Sequence, residues 1–166
     1  QKTAYEIPKR DWSSDVCSSD LFSTEDTLGQ FFKTTAAGEE KYITVETDNY
    51  TATFSTRGGA LTSWVLNKYK TWYKGPINLI NNDKYGDLHL LFTTSDGKLV
   101  STKTLYFQSD LSNNHRIKLG EHDSTRIDFV MKLGDESKIV KSILFRGNDY
   151  AFDATYRFDK RSEEHT

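Results

Sequence analysis

Apolar and polar residues alternate with a period of two over several stretches after Lys41, a pattern typical of half-buried β-strands. Residues 50–55 and 127–133 follow this pattern. The clearest example is 150–159, where Tyr, Phe, Ala, Tyr and Phe at the even-numbered positions alternate with Ala, Asp, Thr, Arg and Asp. The pattern predicts strands that present one apolar face to a core and one polar face to water.

Groups of Gly, Asn and Asp separate these stretches at short intervals. These residues tolerate the positive φ that tight reversals require. Many short strands joined by turns, with no long amphipathic helix between them, predict an all-β fold, an antiparallel β-sandwich, rather than a βαβ fold. The predicted turns are Asp48-Asn49, Arg57-Gly58-Gly59, Asn81-Asn82-Asp83, Ser95-Asp96-Gly97, Gly134-Asp135 and Gly147-Asn148-Asp149.

The composition changes along the chain and predicts its organisation. Residues 22–40 are polar, with small and acidic side chains, so we interpret them as a linker with a short helical turn near Leu28 to Lys33. Residues 41–160 carry the strand pattern and are predicted to form the β-sandwich domain. No apolar run approaches the ~20 residues that a membrane-spanning helix needs.

The two ends of the chain resemble translated sequencing adapters. The codons CAG AAG ACG GCA TAC GAG AT translate into the first seven residues, and a second adapter segment translates into 11–21. The codons AGA TCG GAA GAG CAC ACG translate into 161–166, where the complementary arm is expected. We therefore interpret 1–21 and 161–166 as adapter-derived rather than native, and exclude them from reasoning about the fold.

Setting the two arms aside changes the charge balance and the cysteine count. The whole chain has 22 Lys and Arg against 24 Asp and Glu; four of the former and six of the latter lie in the arms, which leaves 18 of each. A neutral insert gives no electrostatic reason to expect a nucleic-acid partner. The single cysteine, Cys17, also lies in an arm, so the insert offers neither a disulfide framework nor a cysteine-ligated zinc site.

Residues 42–60, YITVETDNYTATFSTRGGA, resemble the opening hairpin of the periplasmic domain of YidC-type membrane protein insertases. Further segments resemble that family in the same order along the chain, and the sequence of residues 69–72 is most similar to that of Bacteroidetes-type members. A single Gly-Gly turn or Lys-Tyr-Lys is a weak signal, but five ordered motifs are much more specific. The other four are Trp64 to Lys70, Pro76 to Ile80, Thr104 to Phe107 and Phe145 to Tyr150.

The resemblance implies a partial β-supersandwich similar to galactose mutarotase, at the periplasmic face of the bacterial inner membrane. It implies a non-enzymatic scaffold or binding module that assists the insertion and folding of inner-membrane proteins. The implied partners are accessory subunits of the Sec translocon and nascent inner-membrane proteins, in a membrane-anchored parent protein whose substrate groove lies outside this sequence. A partial sandwich is expected to leave an apolar face or strand edge exposed near 150–158.

Residues 68–74 interleave lysines with aromatic residues and form the candidate contact surface. Such a segment can stack on bases or sugars, or rest in the headgroup layer of a membrane. Alternatively it is a strand end whose rings cover the core while its lysines extend to solvent. Because the neutral insert provides no wider basic field, we favour this second interpretation. The candidate contact residues are Lys68, Tyr69, Lys70, Trp72 and Lys74.

The remaining polar residues do not predict a catalytic, cofactor or metal site. His89, His115 and His122 lack the paired spacing of metal ligands, so we interpret them as structural or surface residues. The adjacent acids at 39–40 and 135–136 are poorly placed for acid-base catalysis, since neighbouring residues on a strand point to opposite faces. A carbohydrate-active or carbohydrate-binding β-sandwich remains the alternative function, on the fold analogy to mutarotase and the aromatic segment.

Overall fold

Ten β-strands supply nearly all the regular structure of the computed structural model, which describes residues 32–81, 84–94, 97–134 and 137–160. The strand-rich sandwich predicted from the alternation is confirmed. Two short 3₁₀ turns occur at Lys33–Thr35 and Thr102–Thr104. The strands are β1 (Tyr42–Glu46), β2 (Tyr50–Ser55), β3 (Ala60–Lys70), β4 (Pro76–Asn78), β5 (Leu91–Thr93), β6 (Leu99–Ser101), β7 (His115–Lys118), β8 (Ser124–Leu133), β9 (Ser137–Arg146) and β10 (Phe152–Lys160).

Some predictions fall on residues outside this description. They include both adapter-like arms, 1–21 and 161–166, and the linker up to 31. Most of the predicted helical turn near Leu28 also lies there, and the described part of that region has its 3₁₀ turn at Lys33–Thr35. In the described residues, no helix is both long enough and apolar enough to cross a bilayer.

The strands form three sheets. A five-stranded sheet has the order β4-β3-β2-β1-β7, a three-stranded sheet has the order β10-β9-β8, and β5 pairs with β6. Every pairing is antiparallel except that of β1 with β7, which is parallel and which the turn pattern did not predict. Parallel strands need a long connection, and the chain makes one here because β7 returns to the edge of β1 only after β2 to β6.

The hairpin of β1 and β2 shows how the opening motif folds. Val45 pairs with Ala52, so the two strands direct the same alternation of side chains to each face. The hydroxyl of Thr47 accepts hydrogen bonds from the backbone N–H groups of Asn49 and Tyr50, at 3.1 and 3.0 Å. This side-chain turn fixes the reversal that the Asp-Asn signal predicted.

The core lies between the five-stranded and three-stranded sheets. The ring of Phe54 on β2 packs against Phe129, Phe145 and Phe152, with centroid distances of 6.1, 5.6 and 6.2 Å. These partners lie on β8, β9 and β10, so one side chain contacts every strand of the opposite sheet. Interlocked aromatic contacts of this kind align the two sheets face to face.

The predicted alternation is confirmed on the central strands and only partly on β10. Residues 50–54 and 127–131 bury every second side chain, as a half-buried strand should. On β10, Phe152 and Tyr156 are half-buried, whereas Phe158 is 62% exposed. The apolar side of β10 is therefore only partly covered, as the resemblance implied for this region.

Candidate interaction surface

The hairpin of β3 and β4 extends beyond the body of its sheet. β3 has 11 residues, and the last four of them are exposed. β4 has three residues and pairs with β3 up to the contact of Lys70 with Pro76. The five-residue loop 71–75 joins the two strands and forms the end of the hairpin. We call residues 68–76 the hairpin tip.

Hydrogen bonds between Thr71 and the end of the loop hold the tip in one shape. The backbone N–H of Thr71 donates to the carbonyl oxygen of Gly75 at 3.0 Å, and the N–H of Lys74 donates to the carbonyl oxygen of Thr71 at 2.8 Å. The N–H of Gly75 also donates to the Thr71 hydroxyl at 2.9 Å. Lys74 has a φ of 65°, a left-handed conformation that the loop closure imposes on a non-glycine residue.

Aromatic rings at the tip face solvent instead of the core. Trp72 is 94% exposed, Tyr73 is 65% exposed and Tyr69 is 54% exposed. The rings of Trp72 and Tyr73 meet edge to face, with a centroid distance of 5.5 Å. The interpretation that we favoured from the sequence, rings covering the core, is therefore wrong. The physical reason is that the end of β3 and the loop 71–75 extend beyond the pairing with β2, which stops at Leu66, so most of each ring lies outside the core.

The tip carries positive charge only. Lys68, Lys70 and Lys74 are exposed, and the sequence has no Asp or Glu between 60 and 82. Among the described residues, none of the three lysines forms an ion pair with a carboxylate. Because β3 alternates its side chains, Lys68 and Lys70 lie on the face opposite Tyr69. The five candidate contact residues thus lie together on one exposed hairpin.

A shallow apolar groove of about 290 Å³ lies at the base of the hairpin. Tyr69 reaches back to Tyr150, with a ring centroid distance of 6.0 Å, which links the tip to the start of β10. Trp64 forms part of the floor, where it stacks on Tyr50 at a centroid distance of 4.1 Å. The groove is lined by Leu61, Trp64, Leu79, Ile80, Tyr150, Ala151 and Phe152.

The strand β10 contributes a second exposed surface. It lies at the end of the order β10-β9-β8, so one of its backbone edges has no strand partner among the described residues. Phe158 and Tyr150 are 62% and 44% exposed beside that edge. An open edge with apolar side chains is a template for pairing with another extended chain.

Lys141 is a buried cation that the sequence analysis missed. Its side chain is fully buried on β9, and its Nζ donates to the carbonyl oxygen of Leu88 at 2.9 Å and to that of Gly59. Burial lowers the pKa of Lys141 from 10.5 to about 7, because the charged form loses its hydration. Its position in the inward series with Ile139 and Ile143 was the signal that could have revealed it.

The groups nearest Lys141 are backbone carbonyl oxygens, with Tyr156 and His89 close by. The hydroxyl of Tyr156 donates to the carbonyl oxygen of Leu88 at 3.3 Å. His89 donates from Nε2 to the carbonyl oxygen of Gly86 at 3.0 Å, and burial lowers the pKa of this imidazole. Lys141 has no carboxylate partner in the described part of the chain. The arrangement ties β9 to two loops.

The other polar candidates lie apart. His115 is on β7 and His122 is in the exposed turn before β8, far along the chain from His89. Glu40 accepts a hydrogen bond of 2.6 Å from the Ser55 hydroxyl, while Glu39 is exposed. The pair 135–136 lies outside the described residues. Over the described ranges, no group of three or more His, Cys, Asp or Glu side chains is placed to hold a metal ion.

Comparison with known families decides what this sandwich is. The family model described as the YidC periplasmic domain matches residues 42–166, which is well over half of the chain. The chain belongs to the YidC periplasmic domain family. The membership implied by the ordered motifs is thereby confirmed, and with it the location at the periplasmic face of the inner membrane. Nothing in the comparisons favours the carbohydrate alternative.

Individual relatives agree with this family. The chain is 40% identical over 125 residues to the membrane protein insertase YidC of Chloroherpeton thalassium, which covers 75% of the chain and 20% of the relative. It is 35% identical over 128 residues to the membrane protein insertase YidC of Chlorobaculum tepidum, and the match covers 77% of the chain and 21% of the relative. It is 31% identical over 129 residues to the membrane protein insertase YidC of Prosthecochloris aestuarii, and the match covers 78% of the chain and 22% of the relative. The chain thus spans about a fifth of the length of these relatives.

Proposed function

We propose that this chain acts as a non-catalytic scaffold and binding module of a membrane protein insertase, and assists the insertion and folding of inner-membrane proteins. The family match over 42–166 carries the proposal, because every relative cited above is named as an insertase. A module of this kind needs exposed, adhesive surface more than a reactive pocket. The hairpin tip and the edge of β10 both supply such surface.

The edge of β10 suits an extended segment of a translocated chain. Strand addition gains backbone hydrogen bonds along the open edge, and the neighbouring apolar side chains add affinity without demanding one sequence. Nascent inner-membrane proteins are one partner class in this proposal. The accessory subunits of the Sec translocon are the other, since an insertase module beside the translocon would meet both.

Site-specific photocrosslinking in a full-length insertase carrying this domain tests the proposal. A photoreactive residue replaces Phe158 at the β10 edge, and a matched variant carries it in place of Leu99, which is 64% exposed on β6. During synthesis of an inner-membrane protein, we expect adducts with the nascent chain or with translocon subunits from position 158, and few from 99. Equal adduct yields from the two positions, or none from 158, would contradict the proposal.

A further inference from the structure

We propose that the hairpin tip docks into the headgroup layer of an anionic lipid membrane. This deepens the proposed function by naming a contact surface for the module and rests on it for the location beside a bilayer. The observations that carry it are the exposure of the tip's rings, the sign of its charge and the rigidity of its loop.

The composition of the tip matches what a membrane interface selects. Trp and Tyr concentrate at the membrane-water boundary, because their rings are apolar while their N–H and O–H groups remain hydrated. Lysines beside them attract anionic headgroups and can extend toward the phosphate layer. Trp72, Tyr73 and Tyr69 supply the rings, and three lysines supply the charge. A stretch of 23 residues, 60–82, has no acidic residue to oppose that attraction.

The shape of the tip favours a fluid surface over a protein groove. The exposed rings lie at the end of a projecting hairpin, so the surface they offer is convex and narrow. Trp72 is 94% exposed, so only 6% of its surface is covered by the rest of the chain. A headgroup layer can close around such a projection without a complementary cavity, whereas a protein partner would have to provide one.

The loop is already ordered in the shape that would dock. Gly75 lets the tip close tightly, since a Cβ at this position would lie 2.7 Å from the ring of Tyr73. The hydrogen bonds between Thr71 and Gly75 fix the backbone beneath the ring pair. Because the loop is already closed, binding loses little conformational entropy, and even a small contact can give a favourable free energy of binding.

Vesicle co-sedimentation of the full 166-residue chain tests this inference. The probes are vesicles of equal parts phosphatidylcholine and phosphatidylglycerol, and vesicles of phosphatidylcholine alone. Each lysine near an anionic surface contributes roughly a fivefold factor, so Lys68→Ser, Lys70→Ser and Lys74→Ser together should weaken the partition coefficient by about a hundredfold. Trp72→Ser with Tyr73→Ser should weaken it by roughly tenfold or more. High salt should weaken wild-type binding as well.

Matched variants separate the tip from general surface properties. Lys118→Ser, Lys132→Ser and Lys138→Ser remove the same charge from exposed positions elsewhere, and Leu91→Ser with Leu99→Ser removes exposed apolar side chains from β5 and β6. Both control sets should bind like the wild type. All these positions are exposed, and circular dichroism with urea unfolding would verify that each variant folds.

Three results of the vesicle experiment would overturn the inference. They are equal binding to neutral and anionic vesicles, equal loss in the tip and control variants, and no binding by the wild type. If tip variants keep vesicle binding but lose crosslinks to translocon subunits in the full-length insertase, the tip binds a protein and the membrane inference is wrong. The β10 crosslinks described above would be unaffected in each case, so failure here is distinguishable from failure of the proposed function.

Discussion

The Nζ atom of Lys141 lies 2.9 Å from the carbonyl oxygen of Leu88 and donates a hydrogen bond to it. A second hydrogen bond to the carbonyl oxygen of Gly59 joins β9 to the turn between β2 and β3. One buried amine thus connects the two sheets through two loops. An ionised amine in this position keeps its hydrogen bonds but loses its hydration, and this gives the fold a measurable pH dependence.

Stability should rise with pH through the titration of Lys141. Its pKa is lowered to about 7 in the folded protein and returns to an ordinary value near 10.5 on unfolding. Between these values the unfolded chain binds more protons than the folded chain, so the free energy of unfolding increases with pH and is flat below the window. From pH 7 to pH 9, Lys141 should contribute an increase on the order of 2 kcal/mol.

Urea unfolding of the wild type and of Lys141→Met at pH 7, 8 and 9 measures this contribution. The Met variant has no amine to titrate and should lose that part of the pH dependence. Burial raises the pKa of Tyr50 to about 12 and also raises that of Tyr156. Neither tyrosine therefore titrates below pH 9, and neither contributes to the change in stability measured between pH 7 and pH 9. Parallel pH profiles for the two proteins would show that Lys141 keeps an ordinary pKa when folded.

The Phe54 cluster should dominate the stability of the sandwich. Phe54→Ala removes a fully buried ring that packs against one phenylalanine on each strand of the opposite sheet, and the resulting cavity should cost about 3–5 kcal/mol. Phe158→Ala is the matched control, because this ring is 62% exposed and should cost less than about 1 kcal/mol. Chemical unfolding compares the two. Similar losses would mean that Phe54 does not connect the sheets as described.

Two glycines with positive φ should differ sharply in their tolerance of alanine. Gly86 and Gly97 have φ values of 68° and 79°. A Cβ at Gly86 would lie 2.4 Å from the carbonyl oxygen of Leu61, whereas nothing lies within 4 Å of one at Gly97. Gly97→Ala should cost roughly 1–2 kcal/mol from backbone strain alone. Gly86→Ala should cost clearly more, because the backbone of β3 must also move.

Urea midpoints of these two alanine variants are sufficient for the comparison. If both lose the same stability, the close approach of the 86–87 segment to β3 is not maintained in solution. That approach is also marked by the paired hydrogen bonds between Leu61 and Asp87, at 3.1 and 2.8 Å.

The sequence predicted the parts of the fold that follow from local alternation. Strands with a strict period of two, such as 50–55 and 127–133, were identified because burial of one face depends on spacing within the strand. The parallel pairing of β1 with β7 was not predicted. It depends on where the chain returns after some 70 residues, and a turn signal carries no such information.

Two side chains, one exposed and one buried, show the same limit. Trp72 was expected to cover the core, because the neutral charge balance provided no wider basic field for a contact surface, but it is 94% exposed beyond the end of β3. Lys141 was overlooked, although its place in the inward series of β9 put a lysine at a core position. The residue pattern gives the face on which a side chain lies. Only the packing of distant strands decides whether that face is covered.

The turn at Gly147 was predicted correctly, but glycine is required there for a second reason. The Gly-Asn-Asp signal predicted a turn, and the chain does turn there. A Cβ at Gly147 would lie 1.8 Å from the carbonyl oxygen of Gly120, so contact with a loop distant in sequence also requires glycine. A local signal could not reveal that contact.

The proposed function requires that this domain act through its exposed surfaces and not through a reactive site. Its most direct test compares two sets of variants in a full-length insertase, in cells depleted of their own insertase, by protease protection of a newly made inner-membrane protein. Trp72→Ser with Tyr73→Ser, and Phe158→Lys, alter the proposed surfaces. Glu39→Gln and His115→Gln alter polar groups that chemistry would use.

Insertion should fall in the surface variants, at an unchanged level of the insertase, and should remain at the wild-type level in the polar variants. Normal insertion in the surface variants together with a loss in Glu39→Gln or His115→Gln would contradict the account.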